Sequence, residues 1–297
     1  MPAKITGMPT PAGVPATLTL PSGRELPALG LGTWRIGESR ARHASDLAAL
    51  RLALDIGYRA FDTAEMYADG GAETLLGEAL RPGLSGPLAR GQLFVVSKVY
   101  PHNASTKGVV AACEHSLRRL QLDHIDLYLL HWRGAVPLQQ TVEGFQQLQR
   151  RGLIRNWGVS NFDLDDMLEL VKLPGGADCS ANQVWYSLTR RGVEFDLLPW
   201  QQARQMPLMA YSPIDQGALA AAAPLREIAA RRGLTPAQLA LAGLLARPGV
   251  MVIPMSSDAE HLRQNWQAAS VRLDAAELAQ IDAHFPPPRR KQALAMG

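Results

Sequence analysis

Short apolar runs alternate along this chain with longer stretches in which apolar residues return every three or four positions. The first pattern suits strands buried on both faces, and the second suits helices that turn one stripe toward a core. A small hairpin comes first, Leu18 to Leu20 and Glu25 to Ala28 about a Pro21-Ser22-Gly23-Arg24 turn. A strand at Leu29 to Trp34, a helix over Ala44 to Ile56 that stops at Gly57, and a strand at Arg59 to Phe61 follow. The alternation then becomes regular. Helix Glu73 to Leu80 leads to strand Leu93 to Lys98, helix Lys107 to Leu120 to strand Ile125 to His131, and helix Thr141 to Arg151 to strand Ile154 to Asn161. Helix Leu164 to Leu173 precedes strand Ala181 to Tyr186, and helix Leu198 to Gln205 precedes strand Pro207 to Pro213. A helical tract from Leu225 to Arg247, broken near Gly233, precedes strand Val250 to Pro254, and helices over Ala259 to Ala268 and Ala275 to Phe285 finish the series.

Strands alternating with helices specify an α/β protein with parallel strands covered on the outside. Eight such strands with no low-complexity linker between them predict a closed (β/α)₈ TIM barrel over residues 16–297, with the hairpin across its bottom and an additional C-terminal helix. An open doubly wound sheet is the alternative. Residues 1–15, rich in Pro, Gly, Thr and Ala, read as a flexible extension. Gly30 and Gly32 have no third glycine at fingerprint spacing, which excludes a Rossmann dinucleotide motif.

A barrel gathers the downstream strand ends on one face. Those ends carry Trp34, Asp62 with Tyr67, Lys98, His131, Ser160 with Asn161, Gln183, Tyr211 with Ser212, and Ser256 with Ser257. Each alone reads equally well as a capped, solvated or structural residue. Asp62, Tyr67, Lys98 and His131, however, come from three consecutive strands and would meet on the rim. A phenol titrates near 10, and an adjacent ammonium favours its ionised form, so Lys98 is expected to lower the Tyr67 pKa. Asp62 would keep the lysine charged, and His131 would orient an oxygen bonded to Tyr67. Such a set can exchange a proton with a carbonyl or alcohol oxygen. No side chain supplies hydride, so redox chemistry here requires a cofactor. Ser160, Asn161 and Gln183 offer partners for a carboxamide, and Tyr211 offers a ring for stacking.

Composition narrows the field further. Apolar residues make up 47% and charged residues 19% of the chain, as in a globular protein with a large core. The net charge of +3 suits a phosphate-bearing ligand, while the absence of a basic stripe or zinc-finger spacing argues against nucleic acid. Cys113 and Cys179 form no pair motif, no metal site is suggested, and no run is long enough for a signal peptide or a membrane span. The expectation is a cytoplasmic monomer.

Seven motifs in order resemble the aldo-keto reductases: Gly30-Leu31-Gly32-Thr33-Trp34, Phe61-Asp62-Thr63-Ala64-Glu65-Met66-Tyr67, Ser97-Lys98-Val99, Leu130-His131-Trp132, Gly158-Val159-Ser160-Asn161-Phe162, Asn182-Gln183-Val184 and Ala210-Tyr211-Ser212-Pro213. The resemblance runs from about Leu18 to the tail and is greatest to the bacterial branch that includes methylglyoxal and diketogluconate reductases. It implies a nicotinamide-dependent reductase of small carbonyls in which Tyr67 is the general acid, Lys98 and Asp62 tune it, and His131 orients the carbonyl. It also implies that Ser160, Asn161 and Gln183 hold the carboxamide and that Tyr211 stacks on the nicotinamide. Gly32, Thr33, Trp34 and Asp62 would add contacts to the cofactor, and Ser212, Pro213, Ile214 and Gln216 would lie along its pyrophosphate. Trp34, Met66, Tyr100 and Trp132 would line a substrate pocket left open by the short tail after Phe285.

One departure bears on the cofactor. The family members that bind an adenosine 2′-phosphate usually carry a lysine directly after Ile-Pro in the last strand and an arginine six residues later; here those positions are Met255 and His261. Ser256, Ser257, His261, Gln264 and Asn265 still fit adenosine contacts, with Arg263 nearby. The resemblance therefore implies NADPH, with NADH or dual use as the alternative. Two other functions fit the residues: an aldolase-like enzyme forming a Schiff base on Lys98, and a noncatalytic barrel that senses cofactor.

Overall fold

The computed structural model describes residues 15–84 and 88–297, so the expected N-terminal extension lies, except for Pro15, outside the described residues. Strands β1 (Thr17–Thr19) and β2 (Glu25–Pro27) form an antiparallel hairpin. Eight strands make a parallel sheet in chain order: β3 (Leu31–Gly32), β4 (Ala60–Asp62), β5 (Phe94–Val99), β6 (Ile125–Leu130), β7 (Ile154–Ser160), β8 (Asn182–Trp185), β9 (Leu208–Tyr211) and β10 (Val250–Ile253). The sheet closes on itself. Gly30 N–H donates to Val252 O at 2.9 Å, Val252 N–H to Ala28 O at 2.9 Å, and Gly32 N–H to Pro254 O at 3.1 Å. The barrel expected from the alternation is therefore the fold, and the open sheet is excluded.

Helices α1 (His43–Ile56), α2 (Gly71–Leu84), α3 (Thr106–Leu120), α4 (Leu138–Arg150), α5 (Leu164–Leu170), α6 (Leu197–Gln202), α7 (Ala223–Ala230) and α8 (Pro236–Leu245) surround it, followed by α9 (Ala259–Ala268) and α10 (Ala275–His284). Local chemistry sets many of their ends. Thr235 and Gln238 cap each other's backbone at the start of α8, and Asp274 and Glu277 do so at the start of α10. The tract expected to break near Gly233 does so, that glycine taking φ +62° between α7 and α8. Among the described residues no helix is long and apolar enough to cross a membrane, and no cluster of side chains has the makings of a metal site.

Alternation along the strands fixes what the barrel contains. Ala60, Phe94, Val96, Leu127, Leu129, Ala181, Met209, Met251 and Ile253 pack together inside, with Leu20 and Leu26 of the hairpin closing the bottom. Their outward neighbours, such as Phe61, Val95, Tyr128, Val184 and Val252, join the larger core beneath the helices. Space inside is tight: a Cβ at Gly158 would lie 2.4 Å from Ala181 O and 2.9 Å from Leu129 Cδ2. Asp126 anchors the plug. This fully buried carboxylate accepts from Arg24 at 2.5 Å, Arg90 at 2.6 Å and the Val95 N–H at 2.9 Å, tying hairpin to barrel.

Candidate active site

The parity that fills the interior also selects the rim. Two positions beyond an inward residue on each strand stand Asp62 (after Ala60), Lys98 (after Val96), His131 (after Leu129), Ser160 (after Gly158), Gln183 (after Ala181) and Tyr211 (after Met209). The polar ends thus converge because side chains alternate, and eight strands bring them around one mouth.

Lys98 is the centre. Fully buried, its Nζ donates to Asp62 Oδ2 at 2.7 Å, to Thr63 O at 2.9 Å and to the Tyr67 hydroxyl at 3.2 Å. Asp62, 2% exposed, takes its second oxygen's bond from Gln183 Nε2 at 2.7 Å. Burial is the largest influence on Lys98 and would lower its pKa, but Asp62 and Tyr67 together outweigh it and leave the pKa raised. The lysine is an ammonium, not a free amine. This removes the nucleophile that a Schiff-base enzyme needs.

Tyr67 differs from expectation in sign. Burial raises its pKa more than the Lys98 charge lowers it, and Asp62 adds to the rise. The sequence argument counted the neighbouring ammonium and could not count the lost water. The outcome is a phenol held protonated. His131 faces it edge-on, with ring centroids 5.8 Å apart. Burial, aided by the Lys98 charge, pushes the His131 pKa down to about 2, and its Nδ1 is buried without a hydrogen-bond partner. The imidazole is therefore neutral. Its ¹³C and ¹⁵N resonances should show no titration between pH 4 and pH 8; an inflection near 6.5 would contradict this burial.

On the far side of the mouth, Asn161 links three strand ends. Its Nδ2 donates to His131 O at 3.1 Å and to Ser160 Oγ at 3.2 Å, and its Oδ1 accepts from the Tyr211 hydroxyl at 2.9 Å. Both Asn161 and Ser212 take left-handed backbone, at φ +59° and +48°. The segment after Ser212 passes through Pro213 and Ile214 into a short 3₁₀ turn, Asp215–Ala221, that bends at Gln216 and Gly217. Gly32 is hemmed in, since a Cβ there would lie 3.1 Å from Ile253 O, and Thr33 Oγ1 donates to Asp62 O at 3.1 Å.

The proposed pocket wall is partly assembled. Trp132 stands 5.5 Å from Tyr100 and 5.0 Å from His131, centroid to centroid, while Trp34 is 38% exposed with Arg35 over its ring. Met66 is half-buried at the start of the turn that carries Tyr67. Sequence reasoning missed Glu65, which accepts from Tyr100 N–H at 2.7 Å and Asn103 Nδ2 at 3.1 Å and so sets the Tyr100 loop. Its position inside the Asp62 to Tyr67 heptad was the available signal. Residues 292–295 border a cavity of about 190 Å³ beside Trp185 and Arg190, and Gly297 comes to rest against Trp185.

The last expected group lies at α9. Asn265 is buried, Gln264 half-buried, and Ser256 Oγ accepts from Asp258 N–H at 3.1 Å. Ser257 and His261 are exposed, and Arg263 donates to Ala259 O at 3.2 Å. Met255 packs against the apolar core, and Asp258 caps the helix by accepting from the His261 N–H at 2.8 Å.

Comparison with known proteins agrees with the fold. The chain is 48% identical over 276 residues to methylglyoxal reductase YeaE of Escherichia coli, covering 91% of this chain and 95% of that one. It is 33% identical over 273 residues to methylglyoxal reductase DkgA of the same organism, covering 90% and 92%. An aldo-keto reductase from Klebsiella pneumoniae, solved in complex with NADPH, superposes with a TM-score of 0.90 at 46% identity, covering 96% of this chain and all of that one. The sequence profile of the Aldo/keto reductase family matches residues 28–285, and the chain belongs to that family.

Proposed function

We propose that this protein reduces small aldehydes and ketones, methylglyoxal among them, using NADPH, with Tyr67 as the acid. The observation that carries the reading is the Tyr67 hydroxyl, 3.2 Å from a buried lysine that is itself neutralised by Asp62. Its relatives' names and the NADPH in the Klebsiella structure support both substrate and cofactor.

The residues present fit the nicotinamide. Gln183 spends its amide N–H on Asp62, which leaves its carbonyl oxygen as an acceptor for a carboxamide. Ser160 Oγ accepts from Asn161 and keeps its own proton to donate. Tyr211, fixed by Asn161, offers its ring as a platform. When bound, NADPH supplies the hydride. Tyr67 gives its proton to the carbonyl oxygen of the substrate, and Lys98 stabilises the phenolate that remains. Neutral His131 orients that oxygen, while Trp34, Met66, Tyr100 and Trp132 shield it from water.

Fluorescence titration with NADPH and NADH, followed by turnover of methylglyoxal with each, tests the reading. Binding with turnover supports it, and absence of both overturns it. The 2′-phosphate end is weakly provided for. Met255 brings no charge, and the Asp258 carboxylate caps α9 by accepting from the His261 N–H. A charge-assisted hydrogen bond contributes roughly 1.5–3 kcal/mol. Met255→Lys with His261→Arg should therefore raise the NADPH-to-NADH preference by about 10-fold or more, read from Kd values for both cofactors. An unchanged ratio would mean the phosphate is held elsewhere.

A further inference from the structure

Glu73 is fully buried in the first turn of α2, and no step of the reaction above uses it. One of its oxygens accepts from Ser97 Oγ at 2.5 Å and the other from Arg119 Nε at 2.6 Å. Ser97 lies on the outward face of β5, directly before Lys98. Arg119, near the end of α3, lies along Gly70, where an added Cβ would meet its Nε at 2.5 Å and its Cδ at 2.6 Å. Gly70 closes the turn that begins at Tyr67. It takes φ +84°, and the two residues before it, Ala68 and Asp69, take +52° and +51°. L-residues disfavour that region, and such a turn persists only where its surroundings over-determine it.

We infer that Glu73, acting through Ser97 and Arg119, is a positioning residue that sets the separation of the Tyr67 hydroxyl from Lys98. Through Ser97 the carboxylate holds the strand residue next to Lys98. Through Arg119 it braces the strained turn that follows Tyr67. The same carboxylate thus grips both sides of the 3.2 Å contact from outside the barrel. Three further features fit this role. The Thr74 hydroxyl donates to Gly70 O at 3.0 Å, which ties the start of α2 to the turn. Arg119 Nη2 donates to Ser116 Oγ at 3.3 Å, which fixes the guanidinium on its own helix. Glu73 sits outside the interior and touches none of the residues proposed to meet substrate or cofactor.

The inference rests on the reading of Tyr67 as acid, and the experiment separates the two. Parent, Glu73→Gln and Arg119→Lys are compared for kcat with methylglyoxal, KM for NADPH, thermal midpoint and the pH profile of kcat. The groups that face Tyr67 are Asp62 on β4, Lys98 on β5, His131 directly after β6 and Tyr211 on β9, and none of them is altered. Glutamine keeps an acceptor for Ser97 but loses the charge that grips Arg119. A displacement of about 1 Å in an active site costs roughly 100-fold in rate. Glu73→Gln should lower kcat by roughly 10- to 100-fold, leave the NADPH KM unchanged, and move the alkaline limb of kcat to higher pH as Tyr67 drifts from the ammonium. Arg119→Lys keeps the charge without the planar fork and should show the same changes, smaller. Parental kcat and an unmoved limb in both variants would overturn the inference, as would a drop in kcat matched by loss of folded protein in Glu73→Gln while Arg119→Lys stays parental. An inactive parent would overturn the reductase reading itself.

Discussion

Tyr67→Phe should lower kcat for carbonyl reduction by roughly 10²–10⁴-fold, the contribution of a well-placed general acid, with NADPH affinity unchanged. The substitution removes one oxygen and leaves the ring. Lys98 keeps its bonds to Asp62 and Thr63, so the pocket's charges remain paired. His131 cannot take its place as the acid, because it is neutral and would have to become an imidazolide to serve. Fluorescence titration of NADPH beside steady-state turnover decides the matter. A variant that turns over at the parental rate would end the assignment of Tyr67. One that fails to bind NADPH would mean that the hydroxyl holds the site together and does not act on substrate.

The second large effect falls on stability as well as rate. Lys98→Met strands the Asp62 carboxylate, 2% exposed, without its cation. Removing one partner of a buried pair costs about 3–5 kcal/mol, more than the pair itself contributes, because an unpaired charge is left in a poor solvent. The unfolding midpoint in denaturant should fall accordingly. Asp62→Asn added to Lys98→Met removes the stranded charge and should recover much of the stability, while activity stays lost. A single variant as stable as the parent would mean that water reaches Asp62.

The fold was legible because two periods coexist in the chain, two along the strands and 3.6 along the helices. The site was legible for a related reason. Asp62, Lys98, His131, Ser160 and Gln183 each continue an inward parity set by small or apolar residues, so their convergence follows from counting. Three things were not. The strand expected from Leu29 to Trp34 forms a ladder with β4 only at Leu31–Gly32, and its start pairs instead across the closing seam with Val252, a residue far away in sequence. The direction of the Tyr67 shift depends on how much water the closed barrel excludes, which residue identity does not carry. Asp126 and Glu73 look in sequence like ordinary solvated carboxylates. Only the packing of the hairpin against β6, and of α3 against the Tyr67 turn, reveals them as buried anchors.

The seam between β3 and β10 joins the first and last strands of the barrel, held by the Gly30, Gly32 and Val252 backbone. Bringing two such distant segments together is entropically demanding, and contacts of this separation form late in folding. During synthesis the ring cannot shut until Val250–Ile253 has left the ribosome. Until then Lys98 and Asp62, both made in the first third of the chain, belong to an open sheet whose mouth lacks Met255, Ser256 and α9. The nascent protein therefore holds the buried Lys98–Asp62 pair well before the barrel can close around it, and the completed mouth arrives with the last strand.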